Sequence, residues 1–295
     1  MSSKKKLVSI LILTYEGEAI IEKTIQGVFN QKLNENFDIE VIVLDNGSSD
    51  NTFERIKKDS RIHLLRNDKN STFTKAYNKL FRKSSGDLVL ILSNDVYLKD
   101  NYFLNKAVKV LEVSAIGAVA PKSIKSNEEI ERIPKKETTF LRLFHDYTFL
   151  GFIMRLMSNK NYIDKEYDLD SEILDPDVLQ DSCLLLKREA LEPNRIFDEK
   201  LDFYYTEDYL CDFLRNKGYK LSYLDSSFVQ HLYRFSTKKM GKIRISWIYL
   251  KDAMFFSIYK FGLLRSIIFL VPLALFTYFV RVFFWMIRGQ LSWKD

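Results

Sequence analysis

The stretch "FDIEVIVLDNGSSD", Phe37–Asp50, decides the fold. Its centre, Val41–Leu44, is a continuous apolar run rather than an alternating one. A strand of that kind is buried on both faces, as in a parallel sheet covered by helices on each side. The run stops at Asp45 in a polar turn. Working outward, "LVSILIL" (Leu7–Leu13) reads as a second buried strand. Between the two, "TYEGEAIIEKTIQGVFNQ" places Ile20, Ile21, Ile25, Val28 and Phe29 on one helical face. Downstream, "NTFERIKKD" reads as a short helix and "RIHLLRND" as a strand. "STFTKAYNKLFRKSSG" is an amphipathic helix, and "DLVLILSND" is a strand with a polar end. Strands that alternate with helices predict an α/β fold with a mostly parallel central sheet flanked by helices.

Such sheets bind ligands beyond the carboxyl ends of their strands. The loops to inspect are therefore Thr14–Glu16, Asp45–Asp50, Asn67–Asn70 and Ser93–Asp95. All are polar, and two carry an acid at the strand's end. The first loop, "TYEGEA", is neither GxGxxG nor GxxxxGK[ST], which argues against a dinucleotide-binding dehydrogenase or a P-loop nucleotidase.

The chain has 295 residues, 46% of them hydrophobic, and a net charge of +6. That suits one large domain, or one domain with an appendage. The basic excess is uneven: Lys4–Lys6 at the start, and Arg234, Lys238, Lys239, Lys242, Arg244 and Lys251 beside the apolar tail. This placement suits a phosphate-rich membrane surface, and no nucleic-acid-binding motif is present. Cys183 and Cys211 lie in apolar runs and read as buried free thiols in a reducing compartment. The first apolar run has a strand's length, too short for a secretory leader.

Residues 122–177 change character. A polar segment precedes the very apolar "FLRLFHDYTFLGFIMRLM", and an acidic, loop-like segment follows. We read an insertion, either an acceptor-side lid or a membrane-touching helical hairpin, with an ordinary core helix as the alternative. "VLQDSCLLL" then reads as a strand, "KREAL" as a helix start, and "KLSYLDSSFVQHLY" as a late strand followed by a turn holding His231. In the tail, Trp247, Leu250, Met254, Ile258 and Phe261 form a helical stripe. Residues 267–287 then run with Arg281 as their one charge, the length of a spanning helix. Pro272 is placed to kink that segment. The tail reads as a span, an in-plane anchor or an oligomer interface.

The stretch "YYTEDYLCDFLRNKGY", Tyr204–Tyr219, places Glu207 and Asp208 at the head of a helix. Its plainest reading is a helix N-terminus capped by Thr206, with acids suited to the helix dipole.

Taken in order, these segments resemble family 2 inverting glycosyltransferases with the GT-A fold, and within them the rhamnosyltransferase-like group. The matching pieces are "VSILILTYEGEAIIEKTIQGVFNQ", "EVIVLDNGSSDNT", "LLRNDKNSTFTKAYNKL", "SSGDLVLILSND", "DSCLLLKREAL" and "IFDEKLDFYYTEDYLCDFLRNKGYKLSYLDSSFVQH". They cover roughly residues 7–120 and 178–235. The resemblance implies a GT-A domain over 1–235. Within it lie a nucleotide-sugar half (1–120), an insertion or lid (121–177) and an acceptor half (178–235). Membrane-associating helices would occupy 236–295.

The resemblance also implies roles. Thr14, Tyr15 and Glu16 would line the nucleoside pocket. Asp45 would accept a hydrogen bond from the base, with Ser48 and Asp50 supporting the turn. Asn78 and Asn94 would lie near the donor. The metal motif reads Ser93-Asn94-Asp95, with Ser93 where the family usually has an acid. Asp95 and His231 would hold Mg²⁺ or Mn²⁺ on the diphosphate. Asp208 would be the general base of a single in-line displacement, and Glu207 would position the acceptor or shape the helix start. Tyr204 and Tyr205 would form either a sugar-binding wall or core packing. Gln180 and Asp181 stand where the family usually has glycine, so Asp181 would bond a sugar hydroxyl and the donor need not be rhamnose.

The implied partners are a UDP- or dTDP-sugar and a lipid-linked glycan acceptor at the cytoplasmic face of the cell membrane, with a homo-oligomer possible through the tail. The alternatives are a catalytically degenerate membrane scaffold and a sugar nucleotidyltransferase. The latter would need a glycine- and base-rich phosphate loop that "TYEGEA" does not provide.

Overall fold

The computed structural model describes residues 5–125, 127–132, 134–157, 175–232 and 242–287. The acidic segment after Met157, the basic residues 234–239 and Lys4 lie outside them.

Four strands form the parallel half of the sheet: β1 (Lys6–Thr14), β2 (Phe37–Asp45), β3 (Ile62–Arg66) and β4 (Leu88–Ser93). They stand in the order β3-β2-β1-β4. Beyond β4 the sheet continues through β8 (Cys183–Lys187), β6 (Ile116–Ile124), β9 (Lys220–His231) and β5 (Val96–Leu98). The short β7 (Ile130–Arg132) pairs with β6. Strand β8 runs antiparallel to both neighbours, and β5 is antiparallel to β9. The sheet is thus mixed, its parallel character concentrated in the first half.

Helices cover both faces. On one, α1 (Ile21–Phe29) and α4 (Phe103–Leu111) enclose a core containing Ile10, Val43, Leu90 and Leu185. On the other, α3 (Phe73–Lys83) and α7 (Thr206–Asn216) bury Leu11, Tyr77, Leu184 and Leu214. The inner strands contribute to both cores, which is why their apolar runs are continuous. The remaining early helix, α2 (Thr52–Ile56), sits beside the β2 turn. Helix α1 begins only at Ile21, because Glu16 adopts a left-handed backbone and the chain stays in turns until then. "KREAL" forms one 3₁₀ turn, Arg188–Ala190, not the start of a longer helix.

A third core joins α5 (Phe140–Tyr147) and α6 (Phe149–Met157) to the tail. The tail comprises α8 (Lys242–Phe261), α9 (Leu263–Arg265), a π-helical turn (Ser266–Leu270) and α10 (Val271–Ile287). Leu143, Leu201, Tyr209, Leu250, Ala253, Phe256, Leu270 and Ala274 meet there, and Phe149 N donates to Thr277 Oγ1 at 2.8 Å. The buried face of α8 is Leu250, Ala253, Phe256 and Ser257, whereas Trp247 is 45% exposed, so the expected stripe is rotated. The π-turn ends just before Pro272. A proline there lacks the N–H that would reach the Ile268 carbonyl, and the widened turn sits next to this break in the hydrogen-bond ladder. Leu263–Phe283, 21 residues of mean hydropathy 2.1, is long and apolar enough to cross a membrane. Both cysteines are buried and free, and burial pushes both thiols well above their usual range.

Candidate active site

Sheet register places the functional ends side by side. Thr14 pairs with Asp45, Asp45 with Arg66, and Leu13 with Ser93. Parallel strands that end in register bring their following loops to one edge.

At the β2 end, Asp45 is fully buried. Its Oδ1 accepts from Ser48 N at 3.0 Å. Its Oδ2 accepts no hydrogen bond from the described residues and faces Arg66 Nε at 3.3 Å. An acceptor so placed has capacity for one more N–H. Arg66 also donates to Ser48 O at 3.2 Å, and its guanidinium lies 4.5 Å from the Phe53 ring centroid. Ser48 Oγ accepts from Glu16 N at 2.9 Å, and Glu16 Oε1 accepts from Ser49 N and Oγ at 2.8 and 2.7 Å. Asp50 takes Glu18 N and Thr52 N, tying this turn to the first loop. Tyr15 is half-buried in the same loop.

Asn46 clamps the third loop, accepting from Asn67 and Ser71 and donating to Asn70. Gly47 has φ +82°, and a Cβ there would lie 2.8 Å from the Lys69 carbonyl carbon. Gly47→Ala is therefore expected to destabilise the protein by about 1–3 kcal/mol and to lower the affinity for a ligand bound at this strand end. Chemical denaturation and ligand titration of the variant check both.

Three of the expected donor-side residues, Thr14, Asn94 and Asn78, make hydrogen bonds within the protein. Asn94 Nδ2 donates to Thr14 Oγ1 at 2.9 Å, and the Asn94 carbonyl accepts from Thr24 Oγ1 at 2.6 Å. Both Thr14 and Asn94 are buried, so they fix the β1 and β4 ends to each other. Asn78 is fully buried on α3. Its Oδ1 accepts from Ile196 N and Phe197 N at 2.9 and 3.1 Å, and its Nδ2 donates to Phe197 O and Glu199 Oε1. Two acceptances and two donations use the amide's capacity, so Asn78 pins residues 196–199.

Asp95 follows β4, and His231 is the last residue of β9, not a residue beyond it. Pairing of Val96 with His231 brings them together: His231 Nε2 lies 3.4 Å from Asp95 Oδ1. Adjacent ligands of an octahedral ion bound at about 2.1 Å are about 3 Å apart, so the pair fits two corners of a divalent site. No group of three or more potential ligands occurs among the described residues. A carboxylate and an imidazole alone leave the other positions to water and to oxygens of a bound ligand.

Asp181 lies nearby. It accepts from Thr206 Oγ1 at 2.6 Å. Asp181 and Asp95, after burial, help push the buried Tyr77 hydroxyl well above its usual range. Thr206 is thus the first residue of α7 and a partner of Asp181. The cap position belongs to Tyr205, which has φ 60°.

Asp208 is 7% exposed. Its Oδ1 accepts from Thr138 Oγ1 at 2.6 Å, and Glu207 pairs with Lys135. Burial, reinforced by Glu207, raises the Asp208 carboxyl above the ordinary carboxylate range, against the opposing pull of Lys135 and Thr138. Lys135 and Thr138 sit in a polar stretch with no periodicity, so no sequence signal announces them.

The segment before α7 rests on the tail. Asp252, fully buried on α8, accepts from Asp202 N, Phe203 N and Tyr204 N at 3.0, 2.9 and 2.8 Å. Tyr205 stacks on Phe256 with centroids 5.2 Å apart, and Tyr204 meets Tyr249 edge-on at 4.4 Å. Both tyrosines pack on α8.

Solved structures share this fold. The chain matches the mannosyltransferase PcManGT from Pyrobaculum calidifontis, in complex with GDP-Man and Mn²⁺, at TM-score 0.58 and 17% identity, over 94% of this chain and 74% of that one. It matches S. aureus TarS at TM-score 0.55 and 15% identity over 85% of its own length and 39% of that chain. TarS 1-349 in complex with UDP gives TM-score 0.56 and 15% identity, covering 85% and 65%. The chain thus spans less than two thirds of these TarS structures. No curated protein sequence matches it. The model of Glycosyl transferase family 2 matches residues 9–192, more than half of the chain and the strand-end loops from Thr14 to Asp181, whereas His231 and the acidic pair of α7 lie beyond it. The chain belongs to glycosyl transferase family 2.

Proposed function

We propose that the protein is an inverting glycosyltransferase that moves a sugar from a nucleoside-diphosphate sugar to a hydroxyl of a lipid-linked or polysaccharide acceptor. The supporting observation is the shared edge at which Asp45, Asp95 with His231, and Asp181 meet one end of the sheet, with the acidic pair of α7 joined to it through the Thr206–Asp181 hydrogen bond. The Asp45 carboxylate has acceptor capacity for a base N–H. Asp95 and His231 would hold Mg²⁺ or Mn²⁺, which neutralises charge on the leaving diphosphate. Asp181 would bond a sugar hydroxyl, in a rhamnosyl or a hexosyl donor. Asp208, its proton affinity raised by burial, would take the acceptor proton as the hydroxyl attacks the anomeric carbon. Glu207, paired with Lys135, would position the acceptor or shape the start of α7.

The apolar Leu263–Phe283 segment and the Lys- and Arg-rich tail support association with the cytoplasmic face of the cell membrane. The neighbours named with UDP and GDP-Man support a nucleotide-sugar donor without choosing its base.

A thermal-shift panel of UDP-, dTDP- and GDP-sugars on the full chain, with and without Mn²⁺, tests the reading. A ligand at one hundred times its Kd adds about 2.7 kcal/mol. A Mn²⁺-dependent shift with one nucleotide is expected, and Asp95→Ala is expected to remove the metal dependence. No shift with any donor would favour a degenerate scaffold.

A further inference from the structure

Residues 134–139, "PKKETT", link β7 to α5 and are tied down on both sides. Lys135 exchanges backbone hydrogen bonds of 3.1 Å with Val178, in the segment that leads to Asp181. Glu137 N donates to Asp177 Oδ2 at 3.2 Å, and Glu137 Oε2 accepts from Lys260 of α8 at 2.9 Å. Thr139 Oγ1 accepts from Arg142 N at 3.2 Å and so caps α5. The hydroxyl of its neighbour, Thr138, has a different partner: it donates to Asp208 Oδ1 at 2.6 Å. We propose that Thr138 is a positioning residue for the sugar-transfer step, holding the Asp208 carboxylate by one oxygen so that the other is presented to the acceptor hydroxyl. The proposal rests on the glycosyltransferase reading and on Asp208 as its base.

Three observations carry it. First, Thr138 and Asp208 are both buried. A β-branched side chain in a packed site is stiff about χ1, so the hydroxyl has a fixed direction and its short bond to the carboxylate fixes the acid as well. Second, the bond occupies Oδ1 alone. Oδ2 accepts no hydrogen bond among the described residues, and a general base needs one such oxygen within reach of the proton it takes. Third, the same strap meets both acids of the pair: Lys135 holds Glu207 while Thr138 holds Asp208. The charged and titratable groups facing Asp208 are Glu207 on its own helix, Lys135 on the strap and Arg142 on α5, with the Tyr205 hydroxyl and the Cys211 thiol also close enough to feel its charge. Against burial and Glu207, the Thr138 hydroxyl favours the ionised form, because a donor lowers the proton affinity of the carboxylate it bonds. Removing that donor raises the pH at which Asp208 gives up its proton, and the acid limb of activity moves up with it.

The test follows nucleoside diphosphate released by the full chain from UDP-N-acetylglucosamine, dTDP-rhamnose or GDP-mannose, with Mn²⁺ present and water or glycerol as the attacking hydroxyl, between about pH 5 and 9. Thr138→Val keeps the shape and removes the donor. It is expected to lower kcat about tenfold at neutral pH, to move the acid limb up by about one pH unit and to leave KM for the donor within about twofold. Thr138→Ser is expected to bring the limb back. A serine variant that behaves like the valine variant, or a valine variant whose limb does not move, would overturn the proposal; a loss of stability alone produces neither the shift nor its rescue. Where Thr138→Val does not fold, Thr138→Cys, nearly isosteric and a weaker donor, takes its place, and an unmoved limb overturns the proposal there too. Asp208→Asn separates the failures. Near-wild-type release in that variant removes Asp208 as base and the proposal with it. Release lost in Asp208→Asn but unchanged in Thr138→Val rejects Thr138 alone. Thr138→Val added to Asp208→Asn is expected to cost nothing further, and an additional loss of about tenfold would put Thr138 in another role and overturn the proposal. No release by wild type from any of the three donors rejects the enzyme reading beneath.

Discussion

Asp208→Asn is expected to lower sugar transfer by about 10²–10⁴-fold while leaving donor binding intact. The amide keeps the side chain's shape and can still accept from Thr138, so the site's geometry survives. What it loses is the ability to take a proton. The environment sharpens the expectation. Because burial raises the Asp208 carboxyl, wild-type activity is expected to fall on the acid side at a pH above the ordinary carboxylate range. The same shift gives a sign for stability. A carboxyl whose pKa is raised on folding favours the folded state when protonated and disfavours it once ionised, above the folded pKa. At neutral pH, Asn should therefore leave the melting temperature equal to or above that of wild type, although Lys135 offsets part of the effect. A variant with near-wild-type turnover would remove Asp208 from the base role.

Asp252→Ala is expected to have the largest effect on folding. Removing the carboxylate leaves three consecutive backbone N–H groups without their acceptor under α8. A loss of about 3–5 kcal/mol follows, read as a fall of roughly 10 °C in Tm. Asp252→Asn separates charge from shape. Phe203 N and Tyr204 N share Oδ2, while Asp202 N uses Oδ1. An amide oxygen in the Oδ2 position keeps two of the three bonds and turns its NH₂ toward the third. Intermediate stability is expected, with turnover reduced more than donor affinity, because the segment leads directly into Glu207 and Asp208. Equal turnover in Asn and wild type would show that the segment does not need this anchor to place the acidic pair.

The sequence makes the parallel half legible because strands buried on both faces must be apolar throughout, and β1, β2 and β4 are. The far half is less legible for physical reasons. Strand β6 carries Pro121, which argues against an inner strand, and the structure accommodates it with a register shift between Pro121 and Lys122. The site divides in the same way. Asp45 and Asp95 stand at strand ends that periodicity locates, whereas Thr138, Lys135 and Asp252 act through partners far along the chain. Asp252 in particular sits in an otherwise apolar helix, where sequence alone presents it as an interruption. Asn78 shows the converse: a polar residue that sequence places near the expected pocket, its amide engaged with residues 196–197 and 199.

The order of strands has a consequence for biosynthesis. β5 follows β4 at once in the chain, yet in the sheet β8, β6 and β9 stand between them. As the polypeptide leaves the ribosome, β1–β4 can assemble early, but the outer edge of β4 has no partner until Cys183–Lys187 is made. For that interval the nascent chain carries an apolar, unpaired sheet edge, the kind of surface that templates aggregation. Yield in a heterologous host should therefore depend on translation speed and on chaperones that shield the edge, more than on the stability of the finished protein.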